Sequence, residues 1–172
     1  MPEFIPFLKR EDIQKLISEL AERISTDYMN QELVLIGVLK GAFIFLSDLV
    51  RQLTIPVEVD FIGTSSYGQE TYSSENIRLT QALEIEILNK NVLLVEDIID
   101  TGLTVAFLAA HMRTFEPKTL KICTLLDKPE RRKTQVPIDY VGTTVESGFL
   151  VGYGLDHAEK YRNLPDIYCL KP

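Results

Sequence analysis

Apolar and polar positions along the chain alternate between two periods. Ile13, Leu16, Ile17, Leu20, Ala21 and Ile24 recur at helical spacing, so residues 11–26 are expected to form an amphipathic helix with one face on a core. Residues 33–39 are a second apolar run, which turns at Lys40-Gly41 into a predicted helix over 42–53. Val57, Val59 and Phe61 then alternate with Glu58 and Asp60, the period of a strand. Further apolar runs lie at 92–95 and 120–126, with shorter ones at 140–145 and 149–153. Continuous apolar runs suit strands covered on both faces, and their alternation with helices predicts an α/β fold with a mostly parallel central sheet flanked by helices. Strand order is not readable from the pattern. Residues 63–74, Gly-Thr-Ser-Ser-Tyr-Gly-Gln-Glu-Thr-Tyr-Ser-Ser, have almost nothing to bury and are expected to form a mobile loop. No internal repeat or composition break divides the chain, so a single domain over 1–172 is expected.

Candidate chemistry concentrates where the run at 92–95 surfaces. Glu96 and Asp97 follow it directly, then Ile98, Ile99 and Asp100-Thr101-Gly102-Leu103-Thr104, which reads as a loop opening a helix through about His111. Consecutive side chains of a regular strand point to opposite faces, so the two acids serve one site only if the strand ends there. The first N–H groups of a helix lack intrahelical partners, the dipole is positive there, and Gly102 admits a ligand close to the backbone. A phosphate fits such a cradle. Three carboxylates beside it must contact something else, such as sugar hydroxyls, a ring N–H or a divalent cation. Without a ligand, the segment is a buried strand followed by a helix N-capped by Asp100.

Composition narrows the setting. The chain has 172 residues, 45% of them hydrophobic, enough for one core without disulfides or a structural metal. Cys123 and Cys169 both lie in apolar stretches and are expected to be small hydrophobic packers in a reducing cytoplasm. No apolar run is long enough to span a bilayer and no leader pattern opens the chain, so no membrane association is expected. A net charge of −7 argues against nucleic acid as a partner but leaves room for an anionic substrate held by a few placed cations and Mg²⁺.

Residues Val92 to Thr104 closely resemble the phosphoribosyl diphosphate signature of the type I phosphoribosyltransferases. The Val-Glu-Asp-Ile-Ile-Asp-Thr-Gly form is similar to the hypoxanthine-guanine branch. The resemblance runs from about Leu33 to the end. It implies the type I phosphoribosyltransferase fold with a small hood region and a flexible lid loop carrying Ser66 and Tyr67. It also implies a homodimer or homotetramer, and transfer of the phosphoribosyl group of phosphoribosyl diphosphate to N9 of a 6-oxopurine, with Mg²⁺. Glu96 and Asp97 would then hold the ribose hydroxyls, Thr101, Gly102, Leu103 and Thr104 the 5′-phosphate, and Asp100 would act as general base toward N7. Leu39-Lys40-Gly41, with a cis peptide before the lysine, and Arg162 would bind pyrophosphate. Lys128 would donate to O6 of the base, Phe149 would stack on it, Leu150 would offer backbone hydrogen bonds, and Asp156 would lie beside it. Glu96, Asp97 and Asp156 would be the metal ligands.

Taken singly, Lys40 and Lys128 read as solvated lysines, Phe149 and Tyr153 as core residues, and Arg162 as a surface-helix residue. Three positions depart from the family pattern: Gly148 where some members carry lysine, Leu150 for the commoner valine, and His157 where tyrosine is expected. They bear on the choice among hypoxanthine, guanine and xanthine. A pyrimidine-type relative acting as an RNA-binding regulator could share the phosphoribosyl motif but needs a basic face. A silent nucleotide-binding relative would have no use for Asp100, Lys128 and Arg162 together.

Overall fold

The structure, a computed structural model, describes residues 2–66 and 77–171. In chain order the elements are β1 (Glu3–Leu8), α1 (Arg10–Asp27), β2 (Leu33–Leu39), α2 (Phe43–Val50), β3 (Val57–Ser66), β4 (Ile77–Gln81), β5 (Asn91–Ile99), α3 (Leu103–Arg113), β6 (Thr119–Asp127), β7 (Tyr140–Thr144), β8 (Phe149–Val151) and β9 (Ile167–Lys171). The six-stranded sheet has the order β4-β3-β2-β5-β6-β7, parallel throughout except for β4, which runs antiparallel to β3. Its two faces are covered separately. Leu33, Leu35, Leu93 and Val95 pack with α1 and α2, while Val34, Ile36, Val92 and Leu94 pack with Val105, Leu108 and Met112 of α3. This period-two division makes β2 and residues 92–95 of β5 apolar throughout.

The α1 helix runs one residue further at each end than its periodicity implies. Its buried stripe is Ile13, Ile17, Leu20, Ala21 and Ile24. By contrast α2 stops at Val50, short of the expected end: Gln52 N–H bonds Leu49 O at 3.0 Å, tightening the last turn, and Pro56 follows. β3 reaches Ser66, into the stretch expected to be loop, because backbone pairing with β4 rather than side-chain burial holds residues 63–66. Within β3, Val59 is 40% exposed and Asp60 is 8% exposed, the reverse of what the alternation implies. Asp60 is buried because its carboxylate accepts the N–H groups of Phe61, Glu84 and Ile85, closing the connection between β4 and β5.

β1, β9 and β8 form a separate antiparallel sheet in that order, the expected hood. The hydrophobic pattern gives no sign of β1, which contains Pro6 and survives as an edge strand. β8 ends at Val151, earlier than expected, since Gly152, Tyr153 and Gly154 all have positive φ and leave the extended region. β2 continues through α2 to β3 on one side, whereas β5 lies on its other side. The crevice beyond the C-terminal ends of β2 and β5 is therefore the topological switch point, where α/β sheets bind ligands.

Candidate active site

The Leu39-Lys40-Gly41 turn and the Glu96–Thr104 segment converge on that crevice. Pairing between β2 and β5 ends at Gly37 and Val95, so β5 leaves β2 just as it reaches Glu96. The strand continues to Ile99 and does not end at the acids, as their shared service had required. The side-chain alternation shifts instead. Ile98 packs on the same face as Leu93 and Val95, and Ile99 on the face of Val92 and Leu94, a slip of one residue across Glu96-Asp97. Both acids consequently line one cleft of about 150 Å³ together with Asp100, Thr101, Gly102 and Thr104.

The acids are buried and electrostatically linked. Glu96 is held well above the usual carboxylate range, first by burial and then by the charge of Asp97. Burial also raises Asp97, partly offset by hydrogen bonds and by the Arg162 charge. Asp97 N–H bonds Glu96 Oε1 at 3.1 Å, and Ile98 N–H bonds Asp97 Oδ1 at 2.7 Å. A desolvated pair of this kind favours a ligand that brings hydroxyl donors or positive charge.

The β2 turn lies directly against Asp97. The Leu39-Lys40 peptide bond is cis, and a Cβ at Gly41 would fall 2.0 Å from Asp97 Oδ2. Gly154 closes over the other side, where a Cβ would meet Gly41 O at 2.2 Å. Asp97, Gly41 and Gly154 thus form a tight stack from three separate segments. Arg162, in an irregular segment and not on a surface helix, donates to Gly154 O at 2.7 Å and pairs with Asp156 at 3.1 Å. Glu159 reaches Lys40 at 2.9 Å and Arg162 at 3.5 Å. Lys40 itself is mainly exposed, as it reads when taken singly.

The loop into α3 begins with Asp100, which does not cap the helix. The N-cap is Gly102, at φ +82°, and Thr101 Oγ1 accepts Leu103 N–H at 3.4 Å. Only a residue free of Cβ strain holds that left-handed turn easily. Asp100 Oδ1 is buried without a partner, while Oδ2 lies 3.4 Å from Arg131. Lys128 is 7% exposed, unlike a solvated lysine, and its N–H bonds Ile99 O at 2.9 Å, which seats it beside Asp100. Phe149 is half exposed, contrary to a core role, and meets the His157 ring edge-to-face at 5.2 Å. Leu150, on the hood strand β8, is buried. Ser66 ends β3, and Tyr67 lies outside the described residues, as does most of the loop expected to be mobile.

Two anchors escaped the sequence reading. Arg132 bonds the carbonyls of Asp100 and Ile99 and the carboxylate of Asp127. Tyr153 donates to Asp48 of α2, fixing the hood beside Gly154. Neither had a local signal, since Arg131-Arg132-Lys133 reads as a solvated basic run and Tyr153 as core.

Among the described residues, no three acidic, histidine or cysteine side chains converge to hold a metal by themselves. A larger depression of about 700 Å³, lined by Ser25, Asn30, Glu32 and Thr54, contains no cationic side chain, so it is poorly suited to a phosphorylated sugar. No helix among the described residues is long and apolar enough to cross a membrane.

Comparison with known proteins agrees with this geometry. Residues 7–158 match the phosphoribosyl transferase domain family. The chain is 44% identical over 165 residues to hypoxanthine-guanine phosphoribosyltransferase of Bacillus subtilis, covering 96% of this chain and 92% of that protein. It is 48% identical over 165 residues to that of Aquifex aeolicus, covering 95% and 93%. A solved hypoxanthine-guanine phosphoribosyltransferase from Bacillus anthracis superposes with a TM-score of 0.93 at 44% identity, covering 100% of both chains. The hypoxanthine phosphoribosyl transferase of Trypanosoma cruzi gives 0.94 at 41% identity over 99% of this chain and 93% of that one. The stack at the switch point, the Asp100–Thr104 loop beside it and these likenesses place the chain in the phosphoribosyltransferase family, in its hypoxanthine-guanine branch.

Proposed function

We propose that the chain serves purine salvage by transferring the phosphoribosyl group of phosphoribosyl diphosphate to N9 of hypoxanthine or guanine. The C1′–O bond to pyrophosphate breaks, the C1′–N9 bond forms, and the N7 proton passes to Asp100. The observation that carries this reading is the buried Glu96-Asp97 pair lining one cleft with the N-terminus of α3. Ribose hydroxyls donating to those carboxylates relieve their mutual repulsion and place negative charge near the cationic sugar of the transition state. Thr101, Gly102, Leu103 and Thr104 hold the 5′-phosphate. Asp100, whose Oδ1 is buried and unpartnered, accepts the N7 proton.

Lys128 selects 6-oxopurines because an ammonium offers donors only and meets the amino group of adenine unfavourably. Half-exposed Phe149 stacks on the base, and the backbone of Leu150 bonds its edge. The backbone at Leu39-Lys40-Gly41 and the Arg162 guanidinium bind the pyrophosphate. Ser66 and Tyr67 belong to a lid that excludes water from the sugar cation.

The donor set fits Mg²⁺, which is typically held by one or two carboxylates together with substrate phosphates and water. Glu96, Asp97 and Asp156 would hold it, directly or through water and together with substrate phosphate, and it would supply positive charge beside the departing pyrophosphate. Free Cys123 and Cys169 agree with a reducing, cytoplasmic setting, and a homodimer or homotetramer is the expected assembly.

The test is pyrophosphate release with Mg²⁺ and hypoxanthine, guanine, xanthine, adenine or uracil in turn. Turnover is expected with 6-oxopurines, while adenine and uracil fail. Asp100→Ala is expected to lower kcat by about 10²–10⁴-fold. Activity with uracil alone, or an unaffected Asp100→Ala enzyme, would sink the assignment.

A further inference from the structure

Arg132 is bonded both to the backbone that carries Asp100 and to the side chain of Asp127, the residue before Lys128. Its side chain is only 11% exposed. Nε donates to Asp100 O at 2.9 Å, and Nη2 donates to Ile99 O at 3.1 Å and to the Asp127 carboxylate. The Ile99 carbonyl also accepts the Lys128 N–H at 2.9 Å. The Arg132 stem fills the space beside Gly102, lying 3.0 Å from where a Cβ would be. Next in the chain, the N–H groups of Lys133 and Thr134 bond Thr101 O at 2.8 and 3.2 Å.

We propose that Arg132 is a positioning residue that fixes the general-base loop and the purine lysine in a single frame. This rests on the roles given above to Asp100 and Lys128. Asp100 and Thr101 open the phosphate loop after β5, whereas Asp127 and Lys128 end β6. Pairing between these strands reaches Ile99 and Asp127 and goes no further. Beyond that point a single backbone bond, Lys128 N–H to Ile99 O, ties the two segments, and the Arg132 fork adds the side-chain bonds that span the gap. A planar, permanently charged guanidinium meets three acceptors at once with pre-set geometry, which a compact ammonium on a flexible stem cannot do. The base must present N7 to Asp100 and O6 to Lys128 simultaneously. A displacement of about 1 Å between the two groups costs on the order of 10²-fold in rate.

The decisive variants are Arg132→Lys and Arg132→Ala, assayed beside the parent chain and Asp100→Ala, with circular dichroism to measure the folded fraction. Arg132→Lys keeps a cation for Asp127 and is expected to fold. Its kcat per folded molecule should drop by roughly 10–100-fold, with both KM values within a few-fold of the parent, because alignment matters most in the transition state. Added guanidinium should recover a large part of the rate in Arg132→Ala and none in Asp100→Ala. A purely structural arginine predicts the opposite pattern, with a lowered unfolding midpoint and normal kcat in the folded fraction. Folded Arg132→Lys with kcat within threefold of the parent would overturn the positioning role while leaving the activity intact. A parent chain that turns over no 6-oxopurine would overturn both readings.

Discussion

A methyl group added at Gly41 would sit 2.0 Å from Asp97 Oδ2, closer than any real contact allows, and Gly154 blocks retreat on the other side. Gly41→Ala is therefore expected to displace the carboxylate or the hood, lowering kcat/KM by about 10²-fold, while far-ultraviolet circular dichroism stays near that of the parent. The acids make a second prediction. Both carry raised pKa values in the folded chain, so above the ordinary carboxylate range of about 4 the native state holds on to proton that the unfolded chain has already released. Stability of the ligand-free protein should thus rise as pH falls from neutral toward the ordinary carboxylate range of about 4, opposite to the loss expected of carboxylates with lowered pKa values. Urea midpoints measured across that window should show this slope, and Glu96→Gln should flatten it. That these residues belong to one site was legible from their adjacency to the phosphate loop. Their burial, and the slip in alternation that lets both face the cleft, were not, because both depend on where pairing with β2 ends.

The α1 helix was readable because its stripe is decided locally by a 3.6-residue period, and all five residues of its buried face belong to the periodic set. Ile17 is fully buried, so Ile17→Ala is expected to cost about 2–5 kcal/mol in urea unfolding. The hood was less readable. β8 pairs with β9, and β9 with β1 at the opposite end of the chain, contacts that no local pattern announces. Besides the burial of Leu150 and Ile167 in the common core, a side-chain bond from Tyr153 to Asp48 ties the hood to α2. Tyr153→Phe leaves the Asp48 carboxylate with Gln14 and Arg51 and is expected to lose about 1–3 kcal/mol. The same denaturation measurement tests it. A loss of stability without a change in activity would show that the Gly154 contact survives without its anchor.

At the scale of the whole molecule, ligands that bind only the native state should stabilise it. Phosphoribosyl diphosphate with Mg²⁺ at 100 times its Kd adds about 2.7 kcal/mol, equivalent to roughly 5–11 °C in Tm for a chain of this size. The shift should shrink sharply without the metal, which thermal melts with and without a chelator will reveal. The sequence by itself determined the α/β class, the main-sheet strands apart from β4, and a helix-opening Thr-Gly loop flanked by acids. Each is written in neighbouring residues, through hydrophobic period, turn chemistry and the run from Val92 to Thr104. Tertiary structure alone decided the strand order that makes β2 and β5 adjacent, the burial of Asp60 and Lys128, and the stack of Asp97, Gly41 and Gly154. It also decided the reach of Arg132 across 32 positions to Asp100. Those features depend on groups distant in sequence meeting in space, and close packing and backbone hydrogen-bond satisfaction choose among such meetings only when the whole sheet is assembled.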